Sequence, residues 1–124
     1  MKRGLLLFAH GARDARWALP FEDIARRVRA ADPSVAVTLS YLEFMSPGLV
    51  EAGASLAAQG CQRVEVLPLF LGAGGHVRKD VPNLMAKLQE AHPEVHWTLR
   101  PTIGEDESVI EAMARCALRP SDGA

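Results

Sequence analysis

Leu67-Pro68-Leu69-Phe70-Leu71-Gly72-Ala73-Gly74-Gly75-His76-Val77-Arg78-Lys79-Asp80-Val81-Pro82 starts as an apolar run of strand character. It breaks at three glycines and resumes as a helix start with Asp80 and Pro82. The stretch reads as a strand-to-helix junction that exposes His76, with the cations Arg78 and Lys79 behind it. In open α/β sheets, ligands bind outside the carboxyl ends of the strands, where loop side chains and backbone N–H groups face a crevice. The rest of the chain decides whether other reactive residues meet His76 there.

Outward from this junction the chain alternates strand and helix. Gly4 to Ala9 is an almost continuous apolar run, as expected of a strand covered on both faces. His10-Gly11-Ala12-Arg13-Asp14 leaves it as a loop. Pro20 announces a first helix with Phe21, Ile24, Ala25 and Val28 on one stripe, Glu22 and Asp23 early and Arg26, Arg27 and Arg29 late, as the helix dipole prefers. Asp32-Pro33 stops it.

Val35 to Phe44 reads as a second strand with Glu43 near its end. Ser46-Pro47 reads as an N-cap and first helical residue, opening a helix from Gly48 to Gln59 that ends at Gly60. Its small residues Ala52, Gly53 and Ala57 predict close packing. Arg63 to Leu71 is a third strand, followed after the glycine loop by a helix with Val81, Leu84, Met85 and Leu88 on one face. His92-Pro93 ends that helix, and Val95 to Leu99 is a fourth strand. Val109, Ile110, Met113, Cys116 and Ala117 mark a fourth helix entered through Gly104-Glu105-Asp106-Glu107.

Four βα units without a linker predict one α/β domain over residues 1–118. It has three layers and a four-stranded parallel sheet of flavodoxin-like outline, and residues 119–124 form a flexible tail.

The totals agree with this. At 124 residues, 48% hydrophobic and 23% charged, the chain suits one core. A formal net charge of -1 offers no global field for nucleic acid or an anionic membrane. No run approaches the ~20 apolar residues needed to span a bilayer. Met1-Lys2-Arg3 before an apolar run mimics a signal peptide, but the run ends at His10, below the ~7–15 residues such a region needs. Cys61 and Cys116 are far apart and in no C-x-x-C spacing, which predicts reduced thiols in a cytoplasmic protein.

All strand-to-helix loops of a parallel sheet emerge at one edge, so His10, Glu43 and His76 share a rim while His92 and His96 lie towards the opposite edge. Two imidazoles and a carboxylate form an N/O set with open metal positions that suits Co, Fe, Ni or Zn about equally. Taken singly, His10 also reads as a backbone-bonded loop histidine and Glu43 as a solvated strand end. Arg13, Arg16, Arg78 and Lys79 read as solvated charges that, near the rim, would hold carboxylates. The glycine loop begins like G-x-G-x-x-G, but Val77 stands at the last glycine and no Lys-Ser/Thr follows, which disfavours a nucleotide cradle. Ala9-His10-Gly11 lacks the arginine of the Arg-His-Gly of histidine phosphatases.

Three motifs in order, Phe8-Ala9-His10-Gly11-Ala12-Arg13-Asp14, Tyr41-Leu42-Glu43-Phe44 with Ser46-Pro47, and Pro68-Leu69-Phe70-Leu71 through Gly75-His76-Val77 to Asp80-Val81-Pro82, resemble the small CbiX-type sirohydrochlorin chelatases. The resemblance spans nearly the whole chain. Ala12 stands where serine is common, and there is no histidine-rich tail or cluster-binding cysteine set. The resemblance implies a chelatase-type α/β fold and ATP-independent insertion of a divalent metal into sirohydrochlorin, for cobalamin or sirohaem synthesis. Co²⁺ is the expected metal substrate, with Fe²⁺ or Ni²⁺ as alternatives. It also implies a homodimer, with His10 and His76 as the metal-binding and catalytic pair and Glu43 as their acidic partner. Arg13, Arg78 and Lys79 are the candidates for steering substrate carboxylates. Two other readings stand beside it: a non-catalytic metal or tetrapyrrole carrier with the same rim, and a flavodoxin-like mononucleotide binder.

Overall fold

The computed structural model describes residues 1–72 and 74–121 and, of His76, the backbone. Four strands, β1 (Arg3–Ala9), β2 (Ala36–Tyr41), β3 (Arg63–Pro68) and β4 (His96–Leu99), form one sheet in the order β2-β1-β3-β4. Every pairing is parallel: Leu7 lies beside Leu39 and Leu67, and Glu65 beside Thr98. The helices are α1 (Leu19–Ala31), α2 (Leu49–Ala58), α3 (Gly75–Ala91) and α4 (Glu107–Leu118), with short 3₁₀ turns at Ala15–Ala18 and Ile103–Glu105.

The uniform apolar run of β1 has a direct cause in its central position. Leu6 and Phe8 point into a core with α2 and α3, among Leu56, Val64, Val66, Met85, Leu88 and Trp97. Leu5 and Leu7 point the other way, against Ala25, Val37 and Leu67. A strand buried on both faces cannot alternate apolar with polar residues. β4 is an edge strand, where only Trp97 is buried. Burying each large side chain such as Leu6, Phe8 or Leu88 contributes about 1.5–3 kcal/mol, so this central layer dominates the stability. Gly53 lets α2 approach closely: a Cβ there would lie 2.3 Å from Leu88 Cδ2 and 3.2 Å from the Trp97 ring.

Ser40 is a fully buried polar residue of the core, and its hydroxyl donates to the carbonyl of Leu7 at 3.1 Å. Ser40→Ala is expected to cost about 1 kcal/mol, read as a melting temperature lowered by roughly 4 °C. An unchanged melting curve would show that the bond contributes nothing.

The structure corrects four boundaries. β2 ends at Tyr41, so Glu43 sits in the following loop and not on the strand. There the chain turns at Phe44, whose φ is +67°, a conformation no strand can hold. Ser46 and Pro47 do not open α2: the peptide between them is cis, and Gly48, extended at ψ 172°, is the N-cap. β3 ends at Pro68 and not at Leu71. α3 starts at Gly75 behind an extended Gly74, which puts His76 in its first turn and Pro82 well inside it, where the ring nitrogen cannot donate to the carbonyl of Arg78. Of the expected tail, Asp122 to Ala124 lie outside the described residues.

Candidate functional site

The strand order places a topological switch point between β1 and β3: from β1 the chain crosses to β2 on one side, and from β2 it returns past β1 to β3 and β4 on the other. Crevices outside the carboxyl ends of strands open at such points. His10 is the residue after β1, and the glycine loop follows β3, so the first histidine and the first turn of α3 flank this position. His76 is the second residue of that turn; its side chain lies outside the described residues.

His10 is held from two directions. Its ring lies against Phe70, with centroids 4.1 Å apart and planes inclined by 31°. Its carbonyl accepts the N–H of Glu43 at 3.0 Å, one step beyond the bond from Leu42 N–H to Ala9 O at 2.9 Å. The β1–β2 ladder thus continues past both strands, and it fixes the loop that carries Glu43 to the loop that carries His10. Gly11 makes this possible. Its φ is +92°, and a Cβ there would lie 1.9 Å from the carbonyl oxygen of Glu43. Only glycine takes both that conformation and that approach.

Glu43 itself is exposed. His10 and Glu43 are joined through backbone, and the backbone of His76 follows β3 in the first turn of α3. Among the described residues no three His, Cys, Asp or Glu side chains gather as a metal-binding group. Cys61 is buried and Cys116 exposed, and they are not joined. Burial pushes the Cys61 thiol up from its ordinary value, which makes it a poor ligand or nucleophile. His92 and His96 lie at the other end of the sheet, flanking the start of β4.

The basic candidates fall into two groups. The Arg13 guanidinium lies 4.8 Å from the centre of the Phe44 ring, and Phe44 is 57% exposed. An exposed aromatic residue at positive φ is uncommon, and this one stands beside Glu43 with a cation over its face. Arg78 and Lys79 are exposed in the first turns of α3, which carry no acidic residue in the opening turn. Cations oppose the helix dipole at that end. The backbone N–H groups of a helix start favour anions, and Arg78 and Lys79 add positive charge to that end. Arg78 and Arg100 also border an apolar groove of about 240 Å³ lined by Phe70, Val77, Val81, Leu99 and Pro101.

Sequence reasoning named neither Phe44, Phe70 nor Arg100 as part of the site. Phe70 was legible as the last large residue before the glycine break. Arg100, at the carboxyl end of β4, follows from the same edge rule that selected His10. Phe44 carried no signal, since nothing in a phenylalanine announces a left-handed backbone.

Comparison with known proteins agrees with this fold. A protein of Saccharolobus solfataricus called sirohydrochlorin cobaltochelatase is 27% identical over 121 residues, covering 90% of this chain and 91% of its own. A solved structure from Marinobacter aquaeolei, described as a cobalamin biosynthesis CbiX protein, is 33% identical with a TM-score of 0.81, over 93% of each chain. The sirohydrochlorin chelatase SirB of Bacillus subtilis subspecies spizizenii, solved in complex with cobalt, shares the fold at 24% identity and a TM-score of 0.81. The match covers 93% of this chain and 49% of SirB. The family model for CbiX matches residues 4–118, and the chain belongs to the CbiX family.

Proposed function

We propose that the protein is a chelatase that inserts a divalent metal, Co²⁺ first among Co²⁺, Fe²⁺ and Ni²⁺, into sirohydrochlorin without a nucleotide, serving cobalamin or sirohaem synthesis in the cytoplasm. The observation that carries the reading is the pairing of His10 with the first turn of α3 across the switch point, in a chain of the CbiX family. The name and the cobalt of its relatives support the substrate and the metal.

Insertion needs a cation that has lost part of its water shell and a base for the two pyrrole N–H protons the metal displaces. A neutral imidazole ligates through one nitrogen or accepts a proton near pH 7. His10 is the better defined of the pair: Phe70 and the backbone bond to Glu43 hold it in place. His76 supplies the second imidazole, and Glu43, exposed beside His10, offsets metal charge or passes protons to water. A planar macrocycle with carboxylate arms fits the surroundings. This reading assigns its face to the apolar groove beside Phe70 and its arms to Arg13, Arg78 and Lys79, the exposed cations that follow β1 and β3. One chain offers only one wall for such a substrate, so the working form is a homodimer.

Arg78→Ala is expected to raise KM for sirohydrochlorin by roughly 5- to 10-fold with kcat nearly unchanged, the behaviour of a group that binds ground and transition states alike. A drop in kcat at constant KM would move Arg78 from binding to chemistry. The metal is ranked by anaerobic initial rates with Co²⁺, Fe²⁺ and Ni²⁺. Cobalt is expected to be fastest, and a faster iron or nickel reaction would reassign the product.

A further inference from the structure

We propose that Phe70 is a positioning residue for metal insertion: its buried ring, in place of a hydrogen bond, sets the plane of the His10 imidazole. The turn at Gly104 in turn holds Phe70. The inference rests on the reading of His10 as a metal ligand. His10 stands half-buried on the loop after β1, where a side chain is free to rotate unless a neighbour stops it. Its neighbour is Phe70, with ring centroids 4.1 Å apart and planes inclined by only 31°, close to an offset stack. Among the described residues no hydrogen bond reaches the imidazole, so this contact alone orients it.

Phe70 suits the task because it is fixed on every side. Its side chain is almost wholly buried, and the Phe8 ring backs it at 5.6 Å, inclined by 55°. Leu69 N–H donates to Phe8 O at 2.7 Å, which carries the β1–β3 pairing past the end of β3 and ties the backbone just before the ring. Phe70 O accepts the N–H of Gly104 at 3.0 Å, which ties it just after. The second tie comes from the 3₁₀ turn Ile103–Glu105 beyond β4, and it calls for glycine. A Cβ on residue 104 would lie 1.9 Å from the carbonyl oxygen of Leu71. The loops after β1, β3 and β4 therefore meet at one phenyl ring.

An orienting contact of this kind has a chemical consequence. A histidine that holds a resident metal ordinarily donates its other ring N–H to a carboxylate or a carbonyl, which fixes the tautomer and strengthens the ligand. A phenyl face fixes the plane alone. One nitrogen of His10 then faces the metal and the other stays open to water, so the ion is held in a set direction but loosely. This suits an ion that is a substrate and has to be handed to a macrocycle. Binding that is strong before transfer and lost during it only raises the barrier.

The test compares Phe70→Leu, which stays apolar but removes the ring face, with Val64→Ala, which opens the same core near the start of β3, away from the rim. In the NMR spectrum of metal-free wild type, the ring current of Phe70 is expected to place the His10 ring protons upfield. Phe70→Leu is expected to move them downfield, and Val64→Ala to leave them. Below its melting temperature, Phe70→Leu is expected to bind Co²⁺ roughly 10-fold more weakly by calorimetry. Its kcat is expected to fall roughly 10- to 100-fold, with Val64→Ala at wild-type values in both. Gly104→Ala, which displaces Phe70 through its backbone, should move all three readings the same way and stands in where Phe70→Leu does not fold. Equal losses in Phe70→Leu and Val64→Ala would make Phe70 a core residue only. A raised KM for sirohydrochlorin with unchanged Co²⁺ affinity would make it a wall of the groove. Either result overturns the role of Phe70 alone, whereas a wild type with the upfield His10 resonance that neither binds Co²⁺ nor turns over would overturn the metal reading and this role with it.

Discussion

His10→Ala is expected to lower the rate of metal insertion by roughly 10²- to 10⁴-fold, the usual worth of a positioned acid–base or ligating group, while the protein still folds. The two effects separate because the histidine stands at the end of β1 and not inside it. Its ring is packed against Phe70, and losing such a pair costs about 0.5–1.5 kcal/mol, a few degrees of melting temperature in a domain of this size. The backbone bond from Glu43 N–H to its carbonyl survives the substitution. His76→Ala should lose activity to a similar degree. Initial rates at saturating sirohydrochlorin, measured beside melting curves, decide the matter. Variant rates within two- or three-fold of wild type would remove these histidines from the mechanism.

Gly11→Ala is expected to damage the fold and the site together. The added methyl would meet the carbonyl oxygen of Glu43 at 1.9 Å, and the backbone φ of +92° disfavours any L side chain. Because the obstacle is backbone, no side chain can swing aside. Relief would require the two loops to part, breaking the bond between Glu43 N–H and His10 O. The cost should reach roughly 3–5 kcal/mol, or a melting temperature lowered by roughly 10–20 °C. Whatever folded protein remains should insert metal poorly even below its transition, since His10 and Glu43 lose their common frame. A variant that melts like wild type would mean that the close approach of these loops is not a feature of the folded protein.

The contrast between these residues and Glu43 shows how far the sequence could be read. The β1 run, the stripes of α1 and α3 and the glycine break announce themselves through periodicity, because burial on two faces, on one stripe or on none leaves different patterns. From them the parallel sheet follows, and it is present. Val35 to Phe44 is rich in β-branched and aromatic residues and so reads as a strand with Glu43 near its end, whereas the turn at Phe44 rests on a backbone angle that its residue type does not signal. Pro82 was read as a helix start by the preference of proline for the first turn. The extended Gly74 caps α3 earlier, and tertiary packing of Val77, Val81, Met85 and Leu88 against the sheet outweighs the lost bond at Pro82. The stripe on α4 was legible, but amphipathicity says only that a face wants cover and not which chain provides it.

The family accounts for the fold and the motifs, and the switch point explains why those motifs converge. A carrier with the same rim would share all of this geometry and differ in one respect, that it stops at one equivalent per site. The direct test therefore mixes catalytic amounts of metal-free protein with excess sirohydrochlorin and Co²⁺, without oxygen, and follows the absorption spectrum against a control lacking protein. Many equivalents of metallated product per chain, above the control rate, are the predicted result. A spectral change that ends at one equivalent, or a rate equal to the control with folded protein, would contradict the assignment of this rim as a chelatase site.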